Sequence, residues 1–254
     1  MIILPKIGDK IVKRPDTIRG KATLMIPSLK YKDFWDNFYN RLSEIAKLKP
    51  PLDNSSEKID KYFGCFGSRW HPITFRAKYY HVGIDIVEKL KTKVFIIADG
   101  ILEYSGFDHI NGKYILISHP SITTEDGFSL YSIYMHLQSI NIRFTSYQKM
   151  LREISLHTYP QIKIKKGTLI GKVGNTGNAF SSHLHLQLEF RKNPLWQIND
   201  TGGEIIAIDP LKALGFPLKE NLTANIENEK EFWKFYKKNE KDLSYREKFW
   251  KKIS

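Results

Sequence analysis

The stretch SSHLHLQLEF, residues 181–190, alternates polar and apolar side chains from its first histidine onward. This period of two predicts a β-strand whose leucines share one face. His183 and His185 then share the other face, about 7 Å apart, and Gln187 and Glu189 continue it. Two histidines can occur by chance on a half-exposed strand. At this distance they can also border one metal centre, with one ring as a ligand and the other facing a bound water molecule.

The segments on either side of this strand are typical of an antiparallel β protein. Short runs rich in β-branched and aromatic residues are separated by Gly, Asn, Asp or Pro. These runs are KVFIIADG (93–100), GILEYSG (100–106), KYILISH (113–119), SLYSIYMHL (129–137) and GTLIGKVG (167–174). Several short strands with frequent glycine turns predict a mainly β fold with an antiparallel core.

Helices are expected in three places outside this β core. Apolar residues at helical spacing over 31–48 predict a helix within an N-terminal arm, residues 1–60. A short helical insertion is expected at about 143–160. The charged segment 219–254 has aromatic residues near helical spacing and predicts a helical C-terminal tail. The β domain between arm and tail would span residues 61–218.

Composition limits the class of protein. The chain has 254 residues and a net charge of +13, which favours an anionic partner such as nucleic acid, phospholipid or an acidic wall polymer. The lysines are spread along the chain, so a generally lysine-rich surface is an equal alternative. Because no nucleic-acid-binding motif is present, no nucleic-acid partner is expected. The sequence leaves the oligomeric state open.

Targeting signals are not visible in the sequence. No apolar run approaches the roughly 18 residues that a transmembrane helix needs, so no transmembrane segment is expected. The first residues lack a basic region, an apolar region of adequate length and a cleavage site, so no signal peptide is visible. The single cysteine, Cys65, excludes an intramolecular disulfide and a zinc site of several thiolates. Its surroundings favour a small packed side chain rather than a nucleophile.

Two other stretches carry candidate metal ligands. In YYHVGIDI, His81 and Asp85 lie four residues apart, which on a straight strand means about 13 Å. Gly83 between them would let the chain bend. In SIYMHL, His136 ends an alternating run, where a half-buried, hydrogen-bonded histidine is the ordinary interpretation. Taken together, two nitrogens and a carboxylate around one ion form a recurrent hydrolytic zinc site, and no HExxH motif offers a helical alternative.

These stretches together resemble the M23 peptidases, the LytM/lysostaphin-type zinc endopeptidases. The segments GSRWHPITFRAKYYHVGIDI, SIYMHL, KKGTLIGKVGNTGNAFSSHLHLQLEF and IDPLKAL follow one another in the family's order within about residues 62–215. The resemblance implies a mostly antiparallel β core with the site in a groove. It also implies a zinc-dependent peptidase that hydrolyses peptide bonds in peptidoglycan stem peptides or cross-links, as an endopeptidase or a carboxypeptidase.

The same resemblance implies a role for each site residue. His81, Asp85 and His185 would hold one Zn²⁺, while His136 and His183 would be the non-ligand pair that activates water and stabilises the tetrahedral intermediate. All five are intact, which favours a working enzyme over a non-catalytic regulator of a wall amidase. The family implies a cell-envelope or periplasmic location. Without a visible signal peptide, a cytoplasmic zinc peptidase acting on a non-wall substrate stays an alternative.

Three further expectations concern residues near these five. Arg69 is equally compatible with binding a substrate carboxylate in a bidentate way and with supporting the first loop. Gly174, Asn175 and Gly177 suit turn positions with positive φ beside the histidine strand. Phe75 stands where the family often has a glycine, so that loop is expected to differ.

Overall fold

The computed structural model describes residues 12–13, 23–27, 29–53, 55–70, 78–146, 148, 161–192 and 204–242. Within these residues the strands are β1 (Val12–Lys13), β2 (Thr23–Met25), β3 (Gly67–Trp70), β4 (Lys78–His81), β5 (Gly83–Val87), β6 (Lys93–Phe95), β7 (Gly100–Asp108), β8 (Gly112–Thr123), β9 (Ser129–Leu137), β10 (Ser139–Ile140), β11 (Lys163–Ile164), β12 (Leu169–Lys172), β13 (His183–Arg191) and β14 (Glu204–Ile208). The helices are α1 (Lys32–Ala46), α2 (Pro210–Ala213) and α3 (Glu229–Lys238), with 3-10 turns at Leu29–Tyr31 and Ser55–Lys58.

The strands form one large sheet and two small ones. The large sheet has the order β1-β2-β14-β13-β9-β8-β7-β11, and β5 also pairs with β13. The small sheets are β10-β12-β6 and β3-β4. Among the described pairs only β14 and β2 run parallel, so the predicted mainly antiparallel β fold is confirmed.

The main core lies on the leucine face of β13. The leucines of this strand and Phe190 are fully buried, as the alternation predicted. Helix α1 packs against this face, with the Phe38 ring 5.8 Å from the Phe190 ring. The small sheet β10-β12-β6 adds Val94 and Ile170 to the same cluster. Since successive side chains of a strand point to opposite faces, the histidines of β13 lie on the other side of the large sheet.

Helix α1 confirms the helix predicted at 31–48. Its buried side chains are Trp35, Phe38, Tyr39 and Leu42. Burying each such apolar side chain stabilises the fold by about 1.5–3 kcal/mol. The Asp209 backbone N–H, just before α2, also donates to the Tyr39 hydroxyl at 2.7 Å. Helix α1 therefore belongs to the same core as the β strands.

Helix α3 confirms a helical segment in the charged tail and packs beside β3. Asn228 caps it by accepting a hydrogen bond from the Glu231 N–H at 2.8 Å. Phe232 stacks on Trp70 with ring centroids 4.7 Å apart. The helix thereby braces the strand that carries Arg69. The remainder of the tail, 243–254, and most of the expected insertion at 143–160 lie outside the described residues. No described helix is both long and apolar enough to cross a bilayer.

Acidification is expected to destabilise the fold through His119, which lies in the core with no exposed surface. Its Nδ1 faces the Asp99 carbonyl at 2.9 Å and its Nε2 faces the Ser132 hydroxyl at 2.8 Å. Burial lowers the pKa of His119 from 6.5 to about 4. The unfolded chain therefore binds a proton at a pH where the folded chain does not, and stability falls from pH 7 to pH 4 by about 3 kcal/mol.

Urea unfolding at pH 7, 5 and 4 measures this effect against the variant His119→Asn. The variant is expected to be less stable at pH 7 but to lose about 3 kcal/mol less on acidification, since its amide does not titrate. The buried histidines near β5 contribute equally to both proteins and cancel in the comparison. Parallel stability curves for the two proteins would contradict the assignment.

Candidate metal centre

Three side chains from separate strands meet on the histidine face of β13. His185 and Asp85 are direct cross-strand partners, and paired residues share a face. His185 Nδ1 lies 2.8 Å from Asp85 Oδ1. His81 reaches the same place because the chain leaves the β3-β4 ribbon at Val82 and enters the large sheet as β5. Its Nε2 lies 3.3 Å from Asp85 Oδ1 and 3.1 Å from His185 Nδ1.

Hydrogen bonds on the outer side of the rings set the tautomers of both histidines. His81 Nδ1 faces the Cys65 carbonyl at 2.9 Å, and His185 Nε2 faces Gln187 Oε1 at 3.5 Å. A neutral imidazole has one N–H, so a proton held by these acceptors leaves a lone pair on the other nitrogen. His81 Nε2 and His185 Nδ1 then present lone pairs to each other and to the Asp85 carboxylate. A cation between three facing acceptors would relieve their repulsion, and two imidazole nitrogens with a carboxylate oxygen fit a divalent metal ion.

The carboxylate of Asp85 is anchored from behind. Its second oxygen accepts a hydrogen bond from Arg69 Nη1 at 3.0 Å, and Arg69 Nε donates to the Tyr79 hydroxyl at 2.8 Å. Burial alone would raise the pKa of Asp85, but the His81 ring and the Arg69 guanidinium more than offset it, so this pKa lies well below its usual value. Asp85 is thus ionised at neutral pH. These contacts favour a supporting role for Arg69, and its binding of substrate stays a prediction.

Two further imidazoles lie beside these three side chains. His183 Nδ1 faces the Ser181 carbonyl at 2.8 Å, and His136 Nδ1 faces the Thr176 carbonyl at 2.9 Å. The two rings are 4.8 Å apart. Burial, and then the neighbouring imidazoles, lower the pKa of His136 to about 3, and burial also lowers the pKa of His183. Both rings are therefore neutral at neutral pH, and each keeps Nε2 as a proton acceptor.

His136 has an unusual backbone conformation, with φ at 61° in the left-handed region. A non-glycine residue there is strained, and such strain persists only when the surroundings enforce it. The His136 N–H donates to the Asn111 carbonyl at 2.9 Å. On the other side, a Cβ on Gly174 would lie 2.6 Å from the His136 carbonyl oxygen, so the 174–178 turn packs directly against it. The conformation of His136 is thus determined by two turns that are distant in sequence.

The 174–178 turn agrees only in part with the sequence expectation. Gly177 has a φ of 73°, as expected, but Gly174 and Asn175 are not among the described residues with positive φ. Gly174 is instead required by close packing, because a Cβ there would lie 2.2 Å from the Gln138 nitrogen. A turn pattern shows where glycine is needed, but it does not distinguish a need for positive φ from a need for space.

Thr176 connects this turn to its neighbours, and replacing it with valine is expected to lower turnover at least about tenfold. Its hydroxyl accepts from the Lys113 N–H at 2.8 Å and donates to the Leu137 carbonyl at 2.9 Å. Valine keeps the shape but loses both bonds, so the carbonyl that orients His136 is no longer held. Thr176→Ser should retain activity. Steady-state kinetics and thermal unfolding of the three proteins check this.

A matched control is Thr124→Val, which removes a hydroxyl that accepts from the Phe128 N–H at 3.1 Å in a turn on another part of the sheet. Both valine variants should lose about 1 kcal/mol or slightly more of stability. Only Thr176→Val should lose turnover. Equal turnover in the two valine variants would show that Thr176 does not position His136.

All the predicted site residues are described, and all are buried. The three candidate ligands and the two further histidines are each between 4% and 8% exposed. Of the other histidines, His109 is exposed and His119 is in the core, while His71 and His157 lie outside the described residues, as does Phe75. Cys65 is a buried free thiol whose pKa burial raises to about 12, in agreement with a packed side chain.

Sequence reasoning missed the supports of this site. Gln187 and Glu189 are fully buried beyond His185, and Arg191, 2% exposed, pairs with Glu189 through Nε at 2.7 Å. Gln187 in turn donates to Glu189. The alternation that places the histidines on one face of β13 also places Gln187, Glu189 and Arg191 on that face. The sequence pattern therefore indicated their position. Thr176 had no such signal.

Comparisons with known proteins are consistent with this geometry. Residues 79–196 match the model of Peptidase family M23. The chain is 27% identical over 164 residues to peptidoglycan DD-endopeptidase ShyC of Vibrio cholerae, covering 62% of this chain and 31% of that protein. It is 28% identical over 132 residues to DD-carboxypeptidase/endopeptidase Mpg of Neisseria meningitidis, covering 51% of this chain and 24% of that protein. The chain thus spans less than a third of the length of these relatives.

One solved structure that the chain matches is the catalytic domain of the antimicrobial peptidase lysostaphin from Staphylococcus simulans. It is 24% identical, with a TM-score of 0.38, and the match covers 53% of this chain and 83% of that one.

Proposed function

We propose that this chain, whose residues 79–196 match the model of Peptidase family M23, is a zinc-dependent peptidase acting on peptidoglycan peptides. The single observation that carries the proposal is the convergence of His81, Asp85 and His185, whose ligand atoms all lie within 4.8 Å of one another. The two neutral imidazoles of His136 and His183 beside them supply the proton acceptors that hydrolysis needs.

In this proposal the buried triad holds one Zn²⁺. Two imidazole nitrogens and a carboxylate oxygen are a set of protein ligands that would suit a hydrolytic zinc ion. Bound there, the ion supplies a Lewis acid that polarises a carbonyl group and lowers the pKa of water. Arg69 keeps the Asp85 carboxylate ionised and turned toward the two histidines.

The remaining chemistry falls to His136 and His183. Each has its Nδ1 facing a backbone carbonyl, so the lone pair on Nε2 can orient a water molecule and accept its proton as the water attacks the peptide carbonyl. The imidazolium so formed has an Nε2–H that can donate a hydrogen bond to the negative charge developing on the carbonyl oxygen, and it then gives this proton to the departing amine.

The substrate is proposed from the relatives. ShyC is named a peptidoglycan DD-endopeptidase, and Mpg is named a DD-carboxypeptidase/endopeptidase. We therefore place this chain in the cell envelope. The alternative of a non-catalytic regulator has no support from the site, since all five side chains are present and assembled.

Mass spectrometry of purified muropeptides tests the proposal. The protein is incubated with cross-linked dimers and with monomers after zinc loading, after chelation, and after chelation followed by zinc addition. Cleaved dimers identify an endopeptidase, and loss of a terminal D-Ala from monomers identifies a carboxypeptidase. We expect product with the loaded and restored protein and none with the chelated one. Folded, zinc-loaded protein that cleaves neither substrate would overturn the proposal.

A further inference from the structure

The outer face of the small sheet β10-β12-β6, with its adjoining turns, is rich in lysine. Six lysines make up what we call the lysine face, and five of them are exposed while the sixth is half-buried. They are Lys47, Lys49, Lys91, Lys93, Lys166 and Lys172. None of these six ammonium groups forms an ion pair with a carboxylate among the described residues.

Contacts between neighbours join these lysines into one surface. Lys93 on β6 is in register with Lys172 on β12, so their side chains lie side by side. The Lys49 ammonium lies 5.8 Å from the centroid of the Phe95 ring, two residues beyond Lys93 on the same strand. The Lys166 ammonium donates to the Lys47 carbonyl oxygen at 3.3 Å.

The segments that carry the lysine face contain no acidic residue, unlike the lysine-rich segment around α3. Segments 47–49, 91–93 and 165–172 contain seven lysines and no Asp or Glu. Segment 227–242, which includes α3, contains five lysines and five acidic residues. Asp99, whose carboxylate accepts from the Lys166 backbone N–H, is already paired with Lys165 at 2.8 Å. These three segments therefore carry seven positive charges with no acidic residue between them.

Such a face is costly without a partner. Like charges placed directly across two strands repel, and the pair Lys93 and Lys172 is such an arrangement. An anionic partner would be attracted to both ammonium groups and would offset the repulsion between them. Lysine ammonium groups are point charges without the bidentate geometry of arginine, so they suit a dense field of anions rather than one oriented phosphate.

The apolar residues of the face favour a lipid surface over a polymer. Lys93 and Lys172 lie on the strands of the small sheet, and the other four lysines lie on the segments beside it. Phe95 and Leu169, directly opposite each other across β6 and β12, are half-buried among the lysines. Apolar side chains flanked by lysines are the composition that binds the interface of an anionic bilayer.

The lysine face and the metal centre lie on opposite sides of the core. The inward residues of the small sheet, Val94 and Ile170, pack in one cluster with Leu184 and Leu186 of β13. The histidines of β13 point to the other side of that strand. A surface bound by the lysine face would therefore leave the metal centre facing away from it.

From these observations we infer that the lysine face docks the protein on a membrane of anionic phospholipid, with the metal centre turned toward the solvent side. The inference does not depend on the proposed peptidase activity. Attraction to the membrane should weaken as salt screens the charges.

Vesicle co-sedimentation tests the inference with two variants of equal charge. The face variant carries Lys49→Gln, Lys93→Gln and Lys166→Gln. The control variant carries Lys230→Gln, Lys234→Gln and Lys237→Gln on α3. Each lowers the net charge from +13 to +10 at exposed positions. Vesicles of equal parts phosphatidylglycerol and phosphatidylcholine are compared with pure phosphatidylcholine, at about 50 mM and about 500 mM salt.

We expect binding to the anionic vesicles only, at low salt, with affinity at least about tenfold lower in the face variant and close to wild type in the control. Thermal unfolding confirms that both variants are folded. Equal losses of vesicle affinity in the two variants would show that net charge alone determines binding, and this would overturn the inference. So would equal binding to both kinds of vesicle, or tighter binding to mixed-sequence duplex DNA that the face variant loses.

Discussion

Replacing Asp85 by asparagine is expected to lower hydrolysis of peptidoglycan peptides at least about a thousandfold, because a metal ion contributes several kcal/mol of transition-state stabilisation and each 1.36 kcal/mol is tenfold in rate. The substitution removes the negative charge between His81 and His185 but keeps the size of the side chain. Its amide nitrogen can donate to the two imidazole lone pairs, while its oxygen still accepts from Arg69. The variant should therefore fold and fail to retain zinc.

Zinc content, turnover and thermal unfolding of the purified variant check this expectation. The matched control is Asp99→Asn, an exposed carboxylate that pairs with Lys165 at 2.8 Å outside the site. The control should keep both zinc and activity. An Asp85→Asn variant that keeps stoichiometric zinc, or more than about a tenth of the wild-type rate, would show that this carboxylate is not a ligand.

Replacing Gly83 by alanine has the second large expected effect, although no atom of Gly83 is a candidate ligand. A Cβ at this position would lie 2.5 Å from the Leu186 carbonyl oxygen and 2.6 Å from His185 Nε2. The carbonyl is backbone on β13 and cannot rotate away. Strand β5 would have to move from β13, and this would separate Asp85 from His185. We expect zinc affinity and turnover to fall at least about tenfold.

The control for Gly83→Ala is a glycine with the same steric problem elsewhere in the large sheet. A Cβ on Gly100 would lie 2.6 Å from the Ser118 carbonyl oxygen of the adjacent strand. Gly83→Ala and Gly100→Ala should each cost about 1–3 kcal/mol of stability from overpacking. Zinc titration of the two folded proteins should show weaker binding only for Gly83→Ala. Equal zinc affinity would mean that β5 can adjust without moving its carboxylate.

The local pattern of β13 predicted more than any other part of the sequence. Alternation identifies a strand, its buried face and its polar face, because side-chain direction follows from backbone geometry alone. It therefore placed His183 and His185 together, and in the same way it placed Gln187 and Glu189 beyond them. Helix α1 was predictable for the same reason, since helical spacing also depends only on local geometry.

The close approach of His81 to Asp85 was not predictable from local periodicity. On a straight strand they would be about 13 Å apart. Their side chains instead approach to 3.3 Å, since His81 pairs with β3 while Asp85 pairs with β13. Gly83 suggested a bend, but not that its missing side chain makes room for His185.

His136 and Arg69 show the same limit. The left-handed backbone of His136 has no signature in its own sequence, because the turns that enforce it come from other parts of the chain. The sequence left two roles open for Arg69, and the position of Asp85 in space is what engages its guanidinium.

The sequence by itself determined the residue types, the strand periods and the faces on which the histidines of β13 lie. Only the tertiary structure decided which strands became neighbours, which nitrogen of each imidazole faces Asp85, and where the lysines gather into one surface. The physical reason is that propensity and periodicity act through a few adjacent peptide units, whereas strand pairing, ring tautomers and charge concentration depend on hydrogen bonds and contacts between residues far apart in the chain.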